Sequence, residues 1–205
     1  MQIMKARFGW MTRKDSPLSR GQKFHFLTGW FSWFADALHL VFTMMAIAWT
    51  IGMVGWPKYF SLPMELFLIP IIGFFVSKAV FGIVLYRKRV PCSWHDTIMA
   101  SIASMGLSHA IARGIFLGLW KKKGEFVRTA KSRRLSSKPS AFASVREELL
   151  MFLALLACIF GMINSNAITY TEGKLWIGIL AAQAIPYASA LIGAWVAHQS
   201  NEAMA

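Results

Sequence analysis

The chain has 205 residues, 56% of them hydrophobic and 14% aromatic, with a formal net charge of +13. That apolar fraction is above the range of ordinary globular domains. The positive charge does not indicate a nucleic-acid binder, because it is gathered into two segments separated by long uncharged runs, and no nucleic-acid-binding motif accompanies it.

Residues 1–35 are expected to form a cytoplasmic, interfacial segment. They carry Lys5, Arg7, Arg13, Lys14, Arg20 and Lys23, too many charges over too long a stretch for the n-region of a signal peptide. The segment closes on "FHFLTGWFSWF", residues 24–34, which holds six Phe and Trp residues. Such a cluster suits an aromatic belt at lipid headgroups. Helical spacing puts Trp30, Trp33 and Phe34 on one side.

A spanning helix needs about 20 mostly apolar residues. Residues 36–86 supply a first transmembrane hairpin, with 37–57 free of Asp, Glu, Lys and Arg and 66–86 interrupted only by Lys78. "GWPKYFSLP" is the short connection. Asp36 is expected to open the first span and cap its N-terminal end. Lys78 lies eight residues before Tyr86. That depth is about 12 Å, which a lysine recovers in part by snorkelling, the alternative being a hydrogen bond inside the bundle.

Residues 92–120 hold the run "TIMASIASMGLSHAIA", 16 uncharged residues bounded by Asp96 and Arg113. Its rise of about 24 Å is short of the roughly 30 Å hydrocarbon core. With four spans, 19 of the 22 Lys and Arg residues collect on one side, leaving Lys58 and Lys174 opposite and Lys78 within the membrane. A fifth span here would move the basic cluster at 121–138 outside, against the positive-inside rule. Residues 92–120 are therefore expected to form an in-plane helix at the cytoplasmic surface, either on lipid or packed under the bundle. Ser101, Ser104 and Ser108 share one stripe of it, and His109 and Arg113 offer a polar face for phosphate headgroups.

A basic cytoplasmic loop follows over 121–146, and a second transmembrane hairpin over 147–200, within which 149–171 and 175–201 are uncharged. Pro70 and Pro186 fall inside spans, where kinks are tolerated. The expected fold is all-α and integral to the membrane. It has four transmembrane helices in two hairpins plus amphipathic in-plane helices, with both termini cytoplasmic. Neither cysteine, Cys92 nor Cys158, has a partner at metal-ligand spacing, and the five histidines form no close pair, so neither a disulfide nor a metal site is expected.

The basic loop raises a chemical question. "KKKGEFVRTAKSRR", residues 121–134, has Lys or Arg at seven of fourteen positions, yet a Phe, a Val and a Thr stand among them. Summed charge alone does not need an F-x-x-T-x-K core.

Three stretches, in order, resemble the processive family 2 glycosyltransferases, the membrane synthases of bacterial cellulose and related exopolysaccharides. "MQIMKARFGW" with "LSRGQKFHFLTGWFSWFADALHL" resembles the segment after the family's catalytic domain, where a "QI" helix follows a QxxRW motif. "LYRKRVPCSWHDTIMASIASMGLSHAIARGIFLGLW" resembles the region between its later membrane hairpins. "EFVRTAK" is similar to the family's gating-loop motif, usually F-x-V-T-x-K, with Phe126, Thr129 and Lys131 on its Phe, Thr and Lys and Arg128 at its Val position.

The resemblance implies that Phe126, Thr129 and Lys131 meet a nucleotide diphosphate when the loop enters the catalytic pocket. It implies a growing polysaccharide passing the bundle, with Trp30, Trp33, Phe34 and Lys78 as candidates to touch it. It also implies a nucleotide sugar and a divalent metal such as magnesium, both belonging to a catalytic domain. No D-x-D, T-E-D or QxxRW occurs in this sequence. The chain is thus expected to be the membrane half of such a synthase, as a fragment, a disrupted gene product or a split subunit, inactive alone. The partners expected are membrane lipid, the glycan and a catalytic glycosyltransferase domain, in the inner membrane of a bacterium. The reading from another class is a non-enzymatic four-span scaffold whose basic loop docks on anionic lipid or a partner.

Overall fold

The computed structural model describes residues 2–120, 141–165 and 170–202. Among these, every element is helical: α1 (Gln2–Thr12), α2 (Arg20–Gly55), α3 (Met64–Phe75), a π-helical segment (Val76–Val80), α4 (Phe81–Arg89), α5 (Trp94–Gly106), α6 (Ser108–Trp120), a 3-10 turn (Ala141–Val145), α7 (Arg146–Asn164) and α8 (Thr171–Glu202).

Local sequence explains the boundaries of α2. Ser19 is its N-cap: the Ser19 hydroxyl accepts from the Gln22 amide at 3.3 Å, and the Gln22 side chain accepts from the Ser19 amide at 2.9 Å. This reciprocal pair satisfies two donors that a helix start leaves orphaned. At the other end Trp56 N–H bonds the Gly52 carbonyl at 2.7 Å, and Pro57 cannot extend the ladder. The helix therefore starts well before the uncharged run, and Asp36 lies within it instead of capping it. The 36 residues of α2 rise about 54 Å, more than a hydrocarbon core requires.

Four helical stretches are long and apolar enough to cross a membrane: Arg20–Gly55, Trp94–Trp120, Ala143–Asn164 and Thr171–Gln199. The number matches the expectation but the membership does not. The stretch expected as the second span continues helically from Met64 to Arg89, yet its regular part is broken by the π segment that carries Lys78. The helix expected over 92–120 runs from 94 to 120, and as a whole it is long and apolar enough to span, which its uncharged run 97–112 alone is not. Its two bounding charges are accommodated without ending the helix: Asp96 closes a capping box with Ser93, and Arg113 pairs with Glu147. The interruption at Leu107 is slight, since Leu107 N–H still bonds Ala103 O at 3.2 Å and Ile111 N–H bonds Leu107 O at 2.9 Å.

Residue pairings fix the helix directions. Along α2 and α3, Trp49 Nε1 donates to Ser61 O at 2.8 Å, Phe42 meets Phe67, His39 meets Phe74, and Asp36 meets Lys78. Rising numbers on one strand of these pairs match falling numbers on the other, so the two helices are antiparallel. Trp176 with Thr50 and Tyr187 with His39 make α8 antiparallel to α2 as well. Cys158 beside Ile47, and Gly161 beside Val54, make α7 parallel to it.

The shared core contains Ala46, Phe67, Leu155, Trp176 and Leu180, all fully buried. Outward faces stay apolar: Ile69 is 75% exposed and Phe160 68%. That inside-and-outside apolarity suits a bundle surrounded by lipid, where packing and interhelical hydrogen bonds hold helices together. The bond from Trp176 Nε1 to Thr50 Oγ1, 3.0 Å and fully buried, is one such contact.

Helices α5 and α6 pack at the end of the bundle where Lys78 and Glu147 lie. A side chain at Gly106 would put its Cβ 3.1 Å from the backbone nitrogen of Ala190 on α8, so glycine permits the close crossing there. Farther along, α6 lies against α2, and Lys5 of α1 bonds the Leu119 carbonyl.

Candidate functional site

Asp36 and Lys78 are the place where charge enters the bundle. Lys78 Nζ is 2.8 Å from Asp36 Oδ2, and the two side chains are 16% and 0% exposed. The contact is an ion pair in distance but not a well-aligned hydrogen bond, since neither Asp36 oxygen has such a bond. Lys78 is thus held against α2 by a carboxylate. Two charges buried together offset much of each other's desolvation, whereas either one alone would be costly.

One turn along α2, His39 is buried and stacks on Phe74 at 4.2 Å between ring centroids. The next turn brings Thr43, fully buried, whose hydroxyl donates to the His39 carbonyl at 2.8 Å. Opposite them on α8 stands Tyr187, 2% exposed, with its ring centroid 5.9 Å from His39 and 6.0 Å from His109 of α6. Gln183, one turn before Tyr187, is fully buried. Three helices therefore converge polar side chains on one tyrosine.

The cluster opens toward α7. Glu147 takes Arg113 Nη1 on Oε1 at 2.7 Å and His109 Nε2 on Oε2 at 3.1 Å. His109 and Arg113 are one helical turn apart, so one carboxylate serves both. These two side chains meet a protein carboxylate, a partner that the reading from sequence did not name. Beside them is a cleft of about 390 Å³ lined by His109, Arg113, Arg146, Glu147 and Glu148.

Of the residues singled out from sequence, Lys78 belongs to this cluster. Trp30 is half-buried and packs on Phe26 of its own helix at 5.8 Å, Trp33 is 51% exposed, and Phe34 is half-buried. Phe126, Thr129 and Lys131 lie outside the described residues. Sequence reasoning missed His39, Gln183 and Tyr187. The signal was available, because His39 follows Asp36 at i+3 and Tyr187 follows Gln183 at i+4, each pair polar within an apolar run.

Among the described residues no group of three or more His, Cys, Asp or Glu side chains is placed to hold a metal ion. Asp36, Asp96 and Glu147 are engaged by Lys78, Ser93 and the His109–Arg113 pair. No described residue is therefore assigned to a metal. No family model, curated protein or solved structure matches the chain.

Proposed function

We propose that this chain is the membrane-channel and gating portion of a processive, nucleotide-sugar-dependent polysaccharide synthase. In that arrangement α2 with α3–α4, and α7 with α8, are two transmembrane hairpins in a bacterial inner membrane. Helices α5 and α6 lie against their cytoplasmic end, and both termini are cytoplasmic. The observation that carries the reading is the position of "EFVRTAK": it follows the α5–α6 pair and precedes α7, the place the family resemblance gives to a gating loop.

The residue chemistry agrees with that use. Lys131 neutralises phosphate, the Thr129 hydroxyl bonds a phosphate oxygen, and Phe126 anchors the loop through an apolar contact. The sugar donor and its divalent metal belong to a catalytic glycosyltransferase domain that supplies the D-x-D chemistry. Trp30, Trp33 and Phe34 are the glycan-facing candidates. Lys78 reaches the glycan path already neutralised by Asp36, which suits a wall that an uncharged polymer slides past.

Deleting the coding region for residues 1–205 in the native cell tests this directly. Isolated membranes should then lose incorporation of labelled sugar from a nucleotide sugar into high-molecular-mass polymer, and retained incorporation would contradict the proposal. A second reading, a non-enzymatic scaffold docking on anionic lipid, is favoured by the basic cluster at 121–138. It needs summed charge only and gives Thr129 no role.

A further inference from the structure

Seven buried polar atoms at one end of the bundle have no hydrogen-bond partner: both Asp36 oxygens, His39 Nε2, Ser108 Oγ, His109 Nδ1, and both the Gln183 oxygen and nitrogen. Native proteins leave few such groups, since buried polar atoms are bonded either to protein or to ordered water. Here the residues are neighbours. Asp36 and His39 are one turn apart on α2, Gln183 and Tyr187 one turn apart on α8, and Ser108 adjoins His109 on α6. The His39 and His109 rings flank Tyr187 at 5.9 and 6.0 Å.

We infer that the bundle holds a cluster of internal waters around Tyr187, bonded to Asp36, His39, Ser108, His109 and Gln183. The mixture of groups selects the ligand. Carboxylate oxygens only accept, an amide nitrogen only donates, and a hydroxyl does both, so the occupant must donate and accept in several directions. An anion is disfavoured because Lys78, the lysine that the described residues place here, is already paired with Asp36. His109 lines the polar 390 Å³ cleft, whereas the space of about 220 Å³ that His39 lines between α2 and α3 is otherwise apolar. His109 therefore stands where the cluster would exchange with the aqueous side. The inference uses only the packing of the bundle and does not rest on the polysaccharide reading.

Radiolytic hydroxyl-radical footprinting of the full chain in lipid nanodiscs tests it, because bound water generates radicals in place. Trp176 and Phe67 serve as dry controls, both fully buried and in the apolar core. Tyr187 and His39, 2% and 6% exposed, should oxidise several-fold faster than either control, although tryptophan is intrinsically at least as reactive as tyrosine. After a switch to ¹⁸O water, their label should acquire ¹⁸O more slowly than that of Tyr59, which is 85% exposed. Labelling of Tyr187 and His39 as slow as that of Trp176 would overturn the inference. So would ¹⁸O uptake as fast as at Tyr59, which would mean open solvent and not held water.

Discussion

Lys78 and Asp36 form an ion pair across two helices, 2.8 Å apart, one from the π segment and one from the middle of α2. A π turn carries an extra residue, which changes where side chains point relative to an α-helix and is often found at functional positions. Asp36→Ala leaves a buried ammonium unpaired, and should destabilise the bundle by about 3–5 kcal/mol. The double variant Asp36→Leu/Lys78→Met should recover most of that loss. Reversible unfolding in detergent measures both; an Asp36→Ala protein as stable as wild type would show that the pair contributes nothing.

Gly106 gives a second test of the packing. A Cβ there would press on backbone atoms of Ser189 and Ala190 at 3.1–3.2 Å, and backbone cannot swing aside. Gly106→Ala should therefore push α5 off α8 and cost about 1–3 kcal/mol. Gly114→Ala is the control, since nothing lies within 4 Å of its added methyl. In mid-helix it should be neutral or stabilising by up to about 1 kcal/mol. Equal effects at both sites would contradict the close crossing.

Charge-free runs made the apolar helices legible in the sequence, but their limits were not. Counting Asp96 and Arg113 as boundaries made the apolar part of the 92–120 helix look too short to span, because sequence alone does not reveal that one charge caps its own helix and the other meets Glu147. Asp36 looked like a helix opening because it precedes an uncharged run, whereas the Ser19–Gln22 capping box sets the true start. Lys78 was visible as a functional candidate, yet its partner was not, since pairing Asp36 with Lys78 requires the register between α2 and the π segment. Gln183 and Tyr187 stand out as a polar pair within an apolar run, but what they face is set only when α2 and α6 are placed against them.

The proposed topology makes a labelling prediction. If 94–120 lies at the cytoplasmic end and does not cross, residues before and after it share a side. Lys88→Cys and Lys138→Cys should then react with an impermeant thiol reagent only from the cytosol, and Glu172→Cys only from outside. This is the arrangement that the positive-inside bias favours. Lys88→Cys and Lys138→Cys labelled from opposite sides would mean that the 94–120 helices span the membrane.

The most direct measurement is polymer synthesis by membranes carrying this chain in its native setting, with single changes in residues 126–131. A charge-assisted contact to phosphate is worth about 1.5–3 kcal/mol, so Thr129→Ala or Lys131→Ala should each slow synthesis roughly ten- to a hundred-fold. Phe126→Ala should also impair it, and neutralising Lys121, Lys122 or Arg134 singly should do far less. Normal synthesis with Thr129→Ala and Phe126→Ala, alongside failure when several lysines are removed together, would contradict a gating role and leave a loop that acts by charge alone.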